Sequence, residues 1–331
     1  MSIATTEEQR AVQASVRAWS RASAPIDHIR RHPDDTWRKG WAALAELGLF
    51  AVAVPEASGG FGATTVDLAV MLEQAGYELA TGPVLTTAAA AVVFGRGGNV
   101  AAETAALLAE GALPTALALD AVVAAEPTTD GFVLTGDAGP VLAGEPGVAV
   151  LVRFTDTGAG TADGGTEHWA LVDAGAGGLH VEALDTIDKS RALARVRLDG
   201  VAVARDRVAT APAGFVRDVA AALAAAELAG VVGWALTTAV EYAKIREQFG
   251  KPIGSFQAVK HLCAEMLCRA EKVRAVAWDA AGAVDAAPGE LPIAAAAAAA
   301  VSLDAAVQTA KDAIQVLGGS GFTWEHDAHF Y

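Results

Sequence analysis

The chain has 331 residues and a mass of 33.5 kDa, enough by length alone for about two domains. Hydrophobic residues make up 53% and charged residues 19%, a mix that excludes disorder over most of the chain. Lys+Arg 24 against Asp+Glu 39 leave a net charge of −15. That argues against a nucleic-acid partner, because a phosphate backbone is bound by surplus positive charge; an anionic small ligand would need a local basic pocket.

Cys263 and Cys268 are the two cysteines. With no CxxC and no Cys/His cluster, they exclude a disulfide framework and suggest no metal. A reducing, cytoplasmic setting is expected. Met1 to Glu8 show no basic stretch followed by an apolar run, so no signal peptide is expected. The longest apolar stretch, about 219–236, is mostly alanine with Glu227 at its middle. It reads as a buried core helix, since a membrane span needs about 20 strongly apolar residues.

Residues 1–112 read as an α-helical domain. Thr6 precedes a run of helix formers, and Trp37, Trp41, Leu44 and Leu47 mark one helix face that Gly48 ends. Residues 49–62 are dense in turn formers. Thr64 or Thr65 can cap the next helix, which points Leu68, Met71, Leu72 and Ala75 inward.

Residues 113–210 change to short β-rich runs: 131–134, 148–152, 168–172 and 194–198, punctuated by Asp130-Gly131 and Asp199-Gly200. A Gly/Thr/Asp surface loop is expected over 155–166. Arg195 and Arg197 alternate with Val196 and Leu198, as in a strand wet on one face. An antiparallel β domain, barrel or sandwich, follows.

Residues 211–331 return to helix. Two long helices flank Gly250-Lys251-Pro252-Ile253-Gly254, with Gly250 in a left-handed position and Ser255 capping the second. Five connecting residues imply an antiparallel helical hairpin. Phe256, Val259, Leu262, Cys263 and Met266 form one stripe, and an alanine-rich helix covers 293–317. The fold class is α+β: a helical domain, an antiparallel β domain and a C-terminal four-helix bundle.

Two stretches could carry chemistry. In the first, residues 246–261, Arg246 sits in the last turn of a helix with Gln248 and Phe249 at its tip. Taken alone, this is a cation complementing a helix dipole and a phenylalanine plugging a turn. In the second, Gln315-Val316-Leu317-Gly318-Gly319-Ser320-Gly321-Phe322 exposes backbone N–H groups suited to phosphate or to a flavin's polar edge. Taken alone, this is a glycine C-cap with a loop.

Together the R-x-Q-F-G hairpin, the F-Q-A-V-K-H helix and the Q-x-L-G-G-x-G-F turn closely resemble the acyl-CoA dehydrogenase family, whose α–β–α order agrees. The run Phe322-Thr323-Trp324-Glu325-His326-Asp327 resembles bacterial members acting on sterol or other bulky acyl-CoA thioesters. The resemblance implies FAD as cofactor and an acyl-CoA substrate. A carboxylate would take the α-proton while hydride leaves Cβ for FAD. It implies that Arg246 reaches the FAD pyrophosphate of a neighbouring subunit, with Gln248 and Phe249 near the adenosine half and Gln315, Gly318 and Gly319 lining the same cofactor. An electron-accepting flavoprotein is the implied redox partner; no membrane partner is expected.

The sequence departs from the family at two places. One usual position of the catalytic carboxylate lies beyond Tyr331; the other, counted back from Arg246, falls on Ala220. Fallback bases are Asp218, Glu227, Glu325 and Asp327. Glu227, in its apolar helix, is the most interesting, although a paired structural carboxylate is the favoured reading. The family's Thr-Glu…Gly-Ser-Asp and Trp-x-x-Asn segments are replaced by Ala116–Asp120 and Ala138–Leu142. Both departures resemble the shorter, beta-type subunit of heteromeric bacterial acyl-CoA dehydrogenases, which completes a partner's FAD site. The alternatives are a self-sufficient homotetramer and a silent scaffold subunit. His261 is expected in a core or interface, and Arg191, Arg195 and Arg205 on solvated strand faces.

Overall fold

The computed structural model describes residues 5–32, 35–97, 101–156 and 166–331. The surface loop expected over 155–166 lies mostly outside the described residues, as do the first four residues on which the signal-peptide reading partly rests. The chain forms two compact units, each assembled from separated stretches: residues 31–68 with 81–220, and residues 1–30 with 69–80 and 221–331.

In the first unit, α3 (Arg38–Glu46) buries Trp41 and Leu44. The Trp41 indole N–H donates to the Gly111 carbonyl at 2.8 Å, so a large aromatic is buried without leaving its polar atom unpaired. Thr64 opens α4 (Thr65–Tyr77). Its N–H donates to Asp67 Oδ2 at 3.0 Å and its Oγ1 accepts from the Asp67 N–H at 3.2 Å, a reciprocal cap with aspartate in the usual glutamate role. Every residue of α5 (Val84–Gly95) is buried, as befits a helix that is apolar all round. With α6 (Ala102–Ala109) it shares a core cluster with Leu117, Leu151, Trp169 and Leu171 of the sheet.

That sheet has eight strands: β1 (Thr115–Ala118), β2 (Val122–Pro127), β3 (Gly131–Leu142), β4 (Ala149–Asp156), β5 (Thr166–Val172), β6 (Leu179–Leu184), β7 (Leu193–Ala204) and β8 (Val208–Pro212). The order is β6-β7-β3-β1-β4-β5-β8, with β2 beside β3 and β4. Most pairs are antiparallel as expected, but β4 runs parallel to both β1 and β2. Arg195 and Arg197 are exposed and Val196 and Leu198 buried, matching the expected alternation. Asp199-Gly200, expected as a turn, is instead a bulge inside β7: Leu198 pairs with Gly136 and Val201 with Leu134, so two residues oppose Thr135. The Gly200 N–H donates to Thr135 Oγ1 at 3.2 Å, and the strand bends without ending.

In the second unit, α1 (Glu7–Ser23) starts at a Thr6–Gln9 capping box and buries Val16 and Trp19. α2 (Pro25–Arg31) follows the left-handed Ala24. The long helices are α7 (Phe215–Ile245), α8 (Gln257–Ala286) and α9 (Leu291–Leu317), followed by α10 (Gly319–Phe322). Among the described residues of 211–331, these three long helices and short α10 stand where a four-helix bundle was expected; the unit adds α1, α2 and residues 69–77 of α4. α4 and α7 cross at backbone distance: a Cβ on Gly76 would lie 2.1 Å from the Glu227 carbonyl oxygen, and one on Gly230 would lie 1.9 Å from that of Glu73. α7 and α9 are each long and apolar enough for a membrane span by length and composition, but 61% of the most apolar window of α7 is buried inside the fold.

Candidate functional site

α7 does not run into its turn as a helix. The last helical bond is from the Arg246 N–H to the Tyr242 carbonyl at 2.9 Å. Next, β9 (Glu247–Gln248) pairs antiparallel with β10 (Lys251–Pro252) around Phe249-Gly250. Both turn residues have positive φ, 55° and 76°, the pattern of a two-residue type I′ hairpin. The Ile253 N–H closes it onto the Arg246 carbonyl at 2.8 Å. Arg246 is thus the residue after the helix, and the connection is longer than the expected five residues because a small β-hairpin interrupts it. Ser255 sits in a 3₁₀ turn, and Phe256 precedes α8 with no side-chain cap.

A phenylalanine in the left-handed region is an outlier, and such strain concentrates at functional sites. Phe249 is 92% exposed. Its ring meets Phe256 edge-on at 6.1 Å, and the Lys251 ammonium lies 4.5 Å from the Phe256 ring centroid. Arg246 is exposed, and no described residue bonds its guanidinium. Exposed Gln248 donates its side-chain amide to the Glu247 carbonyl at 2.9 Å.

The second motif ends α9. Gly318 adopts φ 60° and ψ −136°, its N–H bonded to the Ile314 carbonyl, a conformation closed to residues with a Cβ. At Gly321 a Cβ would lie 2.7 Å from that of Leu317, so packing requires glycine there. Gly319 has ordinary backbone angles and nothing within 4 Å of a Cβ. Neither conformation nor packing requires glycine at this position, and the backbone there is open to approach. Gln315 is exposed one turn earlier.

The two motifs emerge from one end of the second unit. Ala239 and Ala243 of α7, Ile253 of the 3₁₀ turn before α8, Val259 and Met266 of α8, and Ala313 and Val316 of α9 form a single apolar cluster. Beyond it project the hairpin bearing Arg246, Gln248 and Phe249, and the glycine turn with Gln315, Gly318 and Gly319.

Residues 218–331 match the acyl-CoA dehydrogenase C-terminal domain and residues 6–104 its N-terminal domain. Acyl-CoA dehydrogenase IpdE2 of Mycobacterium tuberculosis is 32% identical over 88% of this chain and 78% of its own length. The chain belongs to the acyl-CoA dehydrogenase family. Acyl-CoA dehydrogenase FadE34 of the same organism is 45% identical over 98% of the chain, which spans only 45% of FadE34. Among solved structures, the ChsE4-ChsE5 complex from Mycobacterium tuberculosis superposes with a TM-score of 0.86, at 27% identity over 100% of this chain and 92% of that one.

Within this member of the family the candidate bases separate. Ala220 is buried and offers no proton acceptor. Glu227 is 8% exposed and sits at the α4–α7 crossing against Gly76. Asp327 is paired with Arg30 at 2.6 Å. Hydrogen bonds from its own backbone N–H and from Thr323 hold the Glu325 carboxyl below its ordinary value, against service as a base. Asp218 moves the other way: desolvation lifts its pKa, reinforced by Glu167 and opposed by Arg217.

The residues at the bundle end fit one half of FAD. A free guanidinium, a nearby ammonium and an open glycine turn suit a pyrophosphate. The sheet offers a flavin ring less: Ala116, Leu117 and Ala118 form buried β1, Ala138–Leu142 belong to β3, and none of these side chains carries a hydrogen-bond donor. Among the described residues no group of three or more His, Cys, Asp or Glu is arranged to hold a metal. Arg195 lies 3.9 Å from Glu182, and Arg205 donates to the Thr128 carbonyl at 3.2 Å; both have local partners on the sheet. His261 is exposed and lies 3.4 Å from the Gln257 amide.

Proposed function

We propose that this chain is the beta-type subunit of an acyl-CoA dehydrogenase, in which the Arg246 hairpin and the Gly318-Gly319 turn grip the pyrophosphate and adenosine half of an FAD held mainly by a partner subunit of the same fold. The single observation that carries the reading is the exposed Arg246 guanidinium, unpaired among the described residues, on a strained hairpin beside an open glycine turn. When bound, FAD accepts the hydride that leaves Cβ of an acyl-CoA thioester. Arg246 supplies a planar, permanently charged fork for the diphosphate, Phe249 an exposed ring for the adenine, and Gly319 room for the backbone to approach. The partner supplies the base and the ring contacts that Ala220 and β1 do not.

Two comparisons support a paired arrangement. ChsE4-ChsE5 is a complex, and more than half of FadE34 lies outside the stretch this chain matches. A bulky acyl-CoA thioester is the proposed substrate class, with an electron-accepting flavoprotein as redox partner. The free thiols Cys263 and Cys268 suit a cytoplasmic setting.

One observation favours a second reading, a self-sufficient dehydrogenase: Asp218 lies two residues from Ala220, and burial moves its pKa upward, the direction in which a carboxylate general base is tuned.

The experiment is co-expression of the chain with a neighbouring-encoded acyl-CoA dehydrogenase subunit, beside expression alone. Flavin absorbance and acyl-CoA dehydrogenation should appear in the complex only. In the complex, Arg246→Ala should strip flavin while leaving the melting of the chain within about 0.5 kcal/mol of the parent, as for any exposed side chain without partners. Strong activity from the chain alone, abolished by Asp218→Asn, establishes the second reading instead. Unchanged flavin in Arg246→Ala makes the subunit a scaffold.

A further inference from the structure

Beyond the glycine turn the backbone is tied down by one distant side chain. Arg30, in α2, donates from Nη1 to the Trp324 carbonyl at 2.5 Å. From Nη2 it donates to the Glu325 carbonyl at 3.2 Å and to Asp327 Oδ1 at 2.6 Å. Its guanidinium carbon also lies 5.0 Å from the centroid of the Phe330 ring. One planar fork thus engages four residues of the segment, two through their main chain, a geometry that a lysine ammonium cannot reproduce.

Other contacts complete the strap. The Trp324 ring meets His329 edge-on at 4.5 Å. The Tyr331 hydroxyl donates to the Tyr77 carbonyl at 2.7 Å, and its ring stacks on Trp234 at 3.7 Å. Only α10 and Thr323 separate this strap from Gly318. The glycine turn is therefore held on one side by α9, through the Gly318 N–H on Ile314, and on the other by Arg30. Between these anchors Phe322 and Trp324 remain 88% and 75% exposed, held outward on ordered backbone.

We propose that Arg30 is a positioning residue for the cofactor site: by fixing residues 324–330 it sets the Gly318-Gly319 turn in the open conformation that admits the FAD pyrophosphate. The inference rests on the proposed FAD role of that turn, and it assigns Arg30 no contact with the cofactor. A merely structural tie would lower stability without changing flavin affinity in the folded complex.

The test uses the full chain, free and in its complex, as Arg30→Ala and Arg30→Lys. Amide hydrogen exchange on the free, flavin-less chain reads the strap. In Arg30→Ala, exchange over 319–330 should rise about 10- to 100-fold, the factor expected when charge-assisted hydrogen bonds are lost, while 291–317 stays unchanged. In the complex, flavin titrated by its absorbance should bind about tenfold more weakly or worse, and Arg30→Lys should fall between the two. Unchanged exchange over 319–330 overturns the strap. Raised exchange with unchanged flavin affinity overturns the positioning role, provided Arg246→Ala weakens flavin in the same assay. If Arg246→Ala also leaves flavin unchanged, the cofactor half falls with the FAD reading, and exchange alone has judged the strap.

Discussion

Arg274 of α8 donates twice to one carboxylate oxygen of Glu73 in α4, from Nε at 2.8 Å and from Nη2 at 2.5 Å. The Trp278 indole N–H reaches the other oxygen at 3.2 Å. Glu73 is only 5% exposed, so its charge is held inside the second unit by these donors. They lie next to Gly230, where α4 and α7 touch through their backbones.

Arg274→Ala leaves the Glu73 carboxylate buried with one weak donor. Because Arg274 itself is 43% exposed, water can enter, and the expected loss is about 1–3 kcal/mol in a urea titration rather than the full cost of a sealed charge. Adding Glu73→Gln to Arg274→Ala should recover part of the loss, because the second change removes the stranded charge. A double variant as unstable as the sum of the two single ones would show that the residues do not interact.

Phe249 occupies a left-handed position that asparagine tolerates better. Phe249→Asn should therefore stabilise the chain by about 0.5–1 kcal/mol in thermal melts, while weakening flavin retention by the complex if the exposed ring stacks on adenine. A destabilised variant would mean that the edge-on contact with Phe256 outweighs the backbone relief. This opposition between stability and binding is the behaviour expected where strain is kept for function.

Asp218 yields a pH prediction with a definite sign. Burial lifts its pKa above the ordinary 3.8, so the folded state holds its proton more tightly than the unfolded chain does. Stability from this group is greatest below pH 3.8 and declines as pH rises through the window between that value and the raised one. Asp218→Asn should therefore match the parent near pH 3 and exceed it at pH 7, in paired urea titrations. Equal differences at both pH values would show that Asp218 titrates normally.

Much of the fold was legible in the sequence because it is encoded locally. The Thr6 cap, the Trp37–Leu47 face, the Thr64 cap, the alternation around Arg195 and the long helices follow from side-chain period and from residues that bond their own neighbours. The resemblance-bearing motifs were legible for the same reason, being contiguous. Asp199-Gly200 misled because the same dipeptide serves a turn or a bulge, and the choice lies with Thr135 on another strand. The hairpin at 246–253 misled because a helix end and a type I′ turn both accept glycine at 250; the bond from Ile253 to Arg246 decides between them. Glu73 gave no signal, since Arg274 lies 201 residues away. Arg30 gave none either, since its hydrogen-bond partners lie 294 to 297 residues further on. Local chain stiffness and periodicity wrote the elements and the family. Which charges are shared, which glycines are left open and what holds the glycine turn were settled only when distant segments met, because burial and hydrogen-bond pairing belong to the folded assembly and not to any stretch of residues.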